Sequence, residues 1–190
     1  MGPSIANAAD QQAAPATLVA EVRKSFTING KPIPPEIFRD SGDGDMADSG
    51  SIWVTVDLNA AVGSNLYYDA ITDDHDWFSQ KTRNTDEVTG YTYYGSTDNG
   101  LLVVLTSWSG GGSGDFIFLH ILDLTAALGL DNDGKPYQRI NLTNIRSVTL
   151  GDRWSGEVSI AKNTIHIATE RNGPGDRTES PPATIGATRP

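Results

Sequence analysis

Two long apolar runs frame a glycine-rich loop near the middle of the chain. Leu101-Leu102-Val103-Val104-Leu105 is apolar at every position. A strand of that kind is buried on both faces. Residues 116–122 answer it, with Phe116, Phe118 and Leu122 on one face and Ile117, Leu119 and Ile121 on the other. Between the runs lies Ser109-Gly110-Gly111-Gly112-Ser113-Gly114. This loop is too long for a two-residue turn, and its glycines admit left-handed backbone. The pattern predicts a hairpin at the centre of the core.

The same reading extends along the chain. Leu18, Ala20 and Val22 alternate ahead of Phe26 and Ile28, which predicts a strand over 17–28, closed by the Asn29-Gly30 turn signal. Pro32, Pro34 and Pro35 interrupt regular pairing, and Pro35 can open one helical turn. Further strands are predicted over 51–58, 65–71, 77–78 and 91–94, then over 137–142 and 145–150. Residues 156–160 and 164–169 form a hairpin, and 183–188 a last edge strand. Residues 125–128 read as a short helix closed by Gly129. The sum is an all-β fold, mainly antiparallel, with two packed or side-by-side sheets and one or two very short helices. One β-rich domain spans 17–190, after a mobile tail of Ala, Gln and Pro over 1–16.

A repeat is embedded in this pattern. Asp57-Leu58-Asn59-Ala60-Ala61-Val62-Gly63 and Asp123-Leu124-Thr125-Ala126-Ala127-Leu128-Gly129 each follow a strand. The spacing predicts an internal duplication of a four-strand unit, 51–107 and 115–169. In outline this resembles propeller blades, but without their Trp-Asp or kelch signatures, and two blades cannot close a ring.

Composition then narrows the function. The net charge of -10 argues against nucleic acid, which needs clustered Lys and Arg. It suits cationic partners or divalent metals. With no cysteine, disulfides, thiolate catalysis and Cys-ligated metals are excluded. No apolar run approaches the ~20 residues that span a bilayer. Ala6-Asn7-Ala8 followed by Ala9-Asp10-Gln11 has the form of a signal-peptide cleavage site, although the basic and apolar regions that would precede it are missing. It implies a periplasmic or secreted protein of a bacterial envelope.

Several stretches are candidates for chemistry. The glycine loop is not a phosphate loop, because a strand follows it and no Lys is present. It is not a nucleophile elbow either, since Asp115 stands where Gly-x-Ser-x-Gly needs its last glycine. Asp43, Asp45 and Asp48 sit in an acidic Gly/Ser loop that fits no EF-hand frame. A solvated turn and a loop binding Ca²⁺ outside that frame both remain open there. Asp73, Asp74 and Asp76 surround His75, again as a solvated loop or a cation site. His120 and His166 lie between apolar neighbours on strands and read as hydrogen-bonded structural residues. Trp77, Trp108 and Trp154 each stand beside a loop, whereas Trp53 reads as core. Tryptophan near carboxylates is a common way of holding a glycan or a cationic protein surface.

The expectation is therefore a non-catalytic exported binding module. Its ligand-binding residues are Trp77, Trp108, Asp73, Asp74 and Asp76, on loops at one end of the sheets, and its partner is a cationic protein or a glycan. The alternative is a small carboxylate-based hydrolase acting on glycans with Ca²⁺ support. A facing pair of carboxyls in a cleft would distinguish it.

Overall fold

The computed structural model describes residues 15–42, 55–62, 66–169 and 183–189. The Asp43, Asp45 and Asp48 loop, Trp53, the Ala6-Asn7-Ala8 pattern and tail residues 1–14 lie outside the described residues. In chain order the elements are α1 (Pro15–Ser25), β1 (Thr27–Ile28), β2 (Lys31–Pro32) and a 3-10 helix (Pro35–Gly42). Then come β3 (Thr55–Asp57), α2 (Leu58–Ala61), β4 (Thr72–Asp74), β5 (Trp77–Lys81), β6 (Val88–Ser96) and β7 (Leu102–Ser109). Last are β8 (Phe116–Leu130), β9 (Pro136–Asp152), β10 (Gly156–Ala161), β11 (Thr164–Thr169) and β12 (Ala183–Gly186). The fold is all-β and its sheets are antiparallel. No helix among the described residues is long and apolar enough to cross a membrane.

A seven-stranded sheet, ordered β3-β9-β8-β7-β6-β5-β4, forms the middle layer. One face is covered by α1, the β1–β2 hairpin, the 3-10 helix and α2. There Leu18, Val22, Phe26, Ile33, Phe38 and Leu58 meet Tyr91, Leu102, Val104, Leu122, Ile140 and Leu142. The other face meets the three-stranded sheet β10-β11-β12, with Leu101, Val103, Leu119 and Ile121 against Val158, Ile165, Ile167 and Ile185. Leu101 through Val104 are fully buried, because alternate residues serve opposite cores. The central hairpin is thus as its sequence predicts.

Three local expectations fail, each for a physical reason, and a fourth, two extended stretches over 137–142 and 145–150, holds with the two joined. Residues 17–28 begin as the helix α1 rather than a strand, and 15–16 belong to it too. Leu18, Val22 and Phe26 are buried at four-residue spacing, which is a helical face, while Ala20 between them is exposed. At 11 residues, α1 is also longer than the very short helices expected. Phe26 ends it with φ 55, and its N–H still donates to the Val22 carbonyl at 2.9 Å.

Residues 125–128 form no helix, since β8 runs on to Leu130. A Cβ on Gly129 would lie 2.4 Å from Arg139 Cδ. That glycine admits a neighbouring side chain and does not stop a helix. Of the stretch 65–71, the described residues 66–71 contribute only the isolated Tyr68–Thr82 bridge, with Leu66 and Tyr67 exposed. The stretches 137–142 and 145–150 are one strand, β9, whose pairing with β8 shifts register at two bulges.

The duplication does not extend to the fold. Asp57 caps α2, its carboxylate accepting from Asn59 N–H at 3.1 Å, whereas Asp123 pairs with Thr143 within β8. Strands β8 and β9 lie in the large sheet, and β10 and β11 in the small one, so the two units differ in strand order.

Candidate ligand cleft at Trp77

Strand β5 alternates across the large sheet. Phe78 faces the helical layer and stacks on Tyr91 at 5.3 Å, and Gln80 follows it on that side. Trp77 and Ser79 therefore face the opposite way, beyond the reach of the small sheet. The Trp77 ring lies against β6 at Gly90, where a Cβ would come within 2.3 Å of the indole. Only glycine leaves room for this contact.

Trp77, Ser79, Val88, Ser107, Ser109 and the tip residues Gly112 to Asp115 line a cleft of about 410 Å³. The tip is tied down. Asp115 N–H donates to Asp152 at 2.8 Å, and the Asp115 carbonyl accepts from Arg153 N–H at 2.7 Å. Ser107 donates its hydroxyl to the Asp115 carboxylate. Arg153 holds the Ser113 carbonyl through Nε at 3.0 Å. Gly111, at φ 87, closes on Asp86, where a Cβ would stand 2.5 Å from the Asp86 Cβ. The result is a cleft with one indole, several hydroxyls and exposed backbone at a fixed loop.

Trp108 is not part of it. It pairs with Thr89 and Phe116, in line with Leu102, Val104 and Thr106, and so belongs to the helix-covered face. Its indole N–H donates to Glu87 at 2.8 Å and its ring stacks on Phe116 at 5.9 Å. Glu87 also binds Arg39 of the 3-10 helix at 2.9 Å. Burial acts to raise the Glu87 carboxyl, but the hydrogen bonds from Trp108 and Arg39 outweigh it and hold the group below the ordinary carboxylate range. Trp108 braces the helical layer.

The acidic turn stands apart as well. His75 and Asp76 occupy left-handed backbone, φ 50 and 70, as a two-residue hairpin turn between β4 and β5. Asp73, Asp74 and Asp76 are exposed, and Asp74 contacts His75 Nδ1 at 2.5 Å. None of the three lines the cleft, although their neighbour Trp77 does. Among the described residues no group of three or more His, Asp or Glu is placed to hold one metal ion.

The histidine on β8 is a structural one. His120 is fully buried between Thr106, 2.9 Å from Nε2, and Ser147, 2.8 Å from Nδ1, with Phe38 stacked at 5.6 Å. Burial lowers its pKa to about 4. His166 on β11 is exposed, with Thr184 3.4 Å from Nδ1. Trp154 packs on the small-sheet core over Gly156.

Sequence reasoning missed Ser79, Ser107 and Asp115 as cleft residues. Their signal was weak, polar residues at alternate positions on strands, and it becomes legible only with the register. Comparisons with protein families, with characterised proteins and with solved structures find no match to the chain.

Proposed function

We propose that the protein is a non-catalytic binding module that holds a glycan in the Trp77 cleft. The observation that carries this is the indole lying along β6 at Gly90, beside the hydroxyls of Ser79, Ser107, Ser109 and Ser113. A sugar ring offers an apolar C–H face to an aromatic plane and a rim of hydroxyls to polar neighbours. Hydrolysis is less well supported, because a glycosidase needs two facing carboxyls. The cleft is lined by one, Asp115, and it already accepts the Ser107 hydroxyl.

The test is a panel of immobilised poly- and oligosaccharides probed with the purified protein. At least one glycan is retained. Trp77→Ala weakens its binding by about 2 kcal/mol or more, the size of a hot-spot loss. Trp108→Phe leaves it unchanged. Retention of no glycan, or equal affinity in Trp77→Ala, sinks the proposal. Turnover abolished by Asp115→Asn would favour the hydrolase.

A second reading draws on the exposed Asp73, Asp74 and Asp76 turn and the net charge of -10, which suit a cationic protein. Such a complex weakens as salt rises above about 0.15 M, where the Debye length is ~8 Å. The proposed site of action outside the cytoplasm rests on the Ala6-Asn7-Ala8 pattern. N-terminal sequencing of the protein recovered from cells tests it.

A further inference from the structure

A second cleft, of about 430 Å³, opens on the opposite face of β5. Its walls come from Pro32 and Pro34, Val62 at the end of α2, and Ala70 and Ile71 ahead of β4. Lys31, Glu36, Asp69 and Arg83 are its charged members, two of each sign, so the rim carries no net charge. Asp69 and Arg83 pair with each other at 3.5 Å.

Gln80 projects from β5 at this cleft and is only 7% exposed. Its Nε2 donates to the Asp69 carbonyl at 2.9 Å. A carbonyl can only accept, so this bond fixes which end of the amide is oxygen. That oxygen, Oε1, is buried and has no hydrogen-bond partner among the described residues. Buried acceptors are nearly always paired, and this one belongs to a side chain that lines a cleft, where a bound donor would supply the missing partner.

We infer that the Gln80 cleft is a second binding site, and that it takes a neutral ligand through a secondary amide. The amide N–H supplies the donor that Oε1 lacks. The amide carbonyl can accept from Lys31 on the rim, and the alkyl groups on either side of the amide meet Pro32, Pro34, Val62 and Ile71. A formal charge on the ligand gains nothing from a rim of balanced charge. Two carriers share this chemistry, a peptide group and an N-acylated sugar. The site lies across the sheet from Trp77, so failure of glycan binding there leaves it standing.

The experiment is a titration of the ¹⁵N-labelled full chain by NMR with two probes, the second carrying a methyl group in place of the amide hydrogen of the first. N-methylacetamide has the amide N–H, and N,N-dimethylacetamide does not. The first gives saturable shifts at the Gln80 side-chain amide and at the Asp69 and Ile71 backbone amides. The second binds about fivefold more weakly, the difference expected for one hydrogen bond to a buried acceptor. Gln80→Met, checked for an unchanged spectrum elsewhere, abolishes the discrimination. Should that variant not fold, the paired probes on the natural chain still decide. Equal shifts from both probes, or none from either, overturn the inference, and so does finding that an ordered water alone satisfies Oε1. Titration with N-acetylalanine N-methylamide and with N-acetylglucosamine then tells the peptide carrier from the sugar by which binds more tightly.

Discussion

Trp77 and Trp108 are the same residue type, each beside a hairpin loop, two strands apart in one sheet. Trp108 turns toward the helical layer, where its N–H is taken by Glu87 and its ring by Phe116. Trp77 turns the other way, lies on a glycine and leaves space above it. The difference is one of strand parity and neighbour size. A ring held by a partner on its polar edge serves the fold, whereas a ring laid along bare backbone beside a void is available to a ligand.

The strongest way to break this comparison is truncation. Trp108→Ala is expected to cost about 3–5 kcal/mol, the range for removing a large packed aromatic. Trp77→Ala is expected to cost clearly less while removing glycan binding. Urea unfolding of both variants gives the answer, and equal losses would erase the distinction.

Acid should act on the helix-covered face first. His120 takes up a proton near pH 6.5 when unfolded but near 4 when folded, since burial among Thr106, Ser147, Phe38 and Phe118 penalises the cation. A depressed folded pKa means that the stability is complete above pH 6.5 and falls as pH drops toward 4. The loss is about 3 kcal/mol across that window. Unfolding midpoints at both ends of the window, for the natural chain and for His120→Asn, isolate it. An identical pH slope in the two would show that His120 is not the sensor.

A smaller change sharpens the Trp77 side. Gly90→Ala places a Cβ inside the indole and should cost roughly 1–3 kcal/mol by overpacking. It should also shift the tryptophan fluorescence and weaken glycan retention. Unchanged emission would show that the ring does not rest on Gly90. Least of all is Arg39→Ala, which cuts a partly exposed ion pair to Glu87 and should cost below about 1 kcal/mol. A larger loss would make the brace around Trp108 stronger than its exposure implies.

The central hairpin was legible because its residues are apolar on both faces, and that pattern has one structural solution. The helix α1 was not, because Leu18 and Val22 satisfy period two and period four alike, and the deciding residue, Ala20, is indifferent to burial. Gly129 misled because a glycine after an Ala-Ala-Leu run signals a helix end, while its actual task is set by Arg139 on another strand. Trp77 could be nominated from the sequence, but the partition of the two tryptophans could not. Their faces depend on the pairing of β5, β6 and β7, which sets Trp77 opposite Thr92 and Trp108 opposite Thr89, and local pattern does not encode that register.

The β8–β9 hairpin behaves as a beam clamped at one end. Its inner half is gripped on both sides, and its last firm hold is Asp57, which takes the Tyr137 hydroxyl at 2.6 Å. That grip touches β9 near its start, and the rungs from Leu128–Gln138 to Leu130–Pro136 leave Leu128 and Leu130 in water. Their ladder partners are the same in kind as those near Leu119, but among the described residues the holds on them come only from the polar Asp57 and Asn59 side of β9, and no apolar layer covers Leu128 or Leu130. Amide exchange along a single strand should therefore quicken from Leu119 toward Leu130 by orders of magnitude, since protection follows what surrounds a hydrogen bond and not the bond alone.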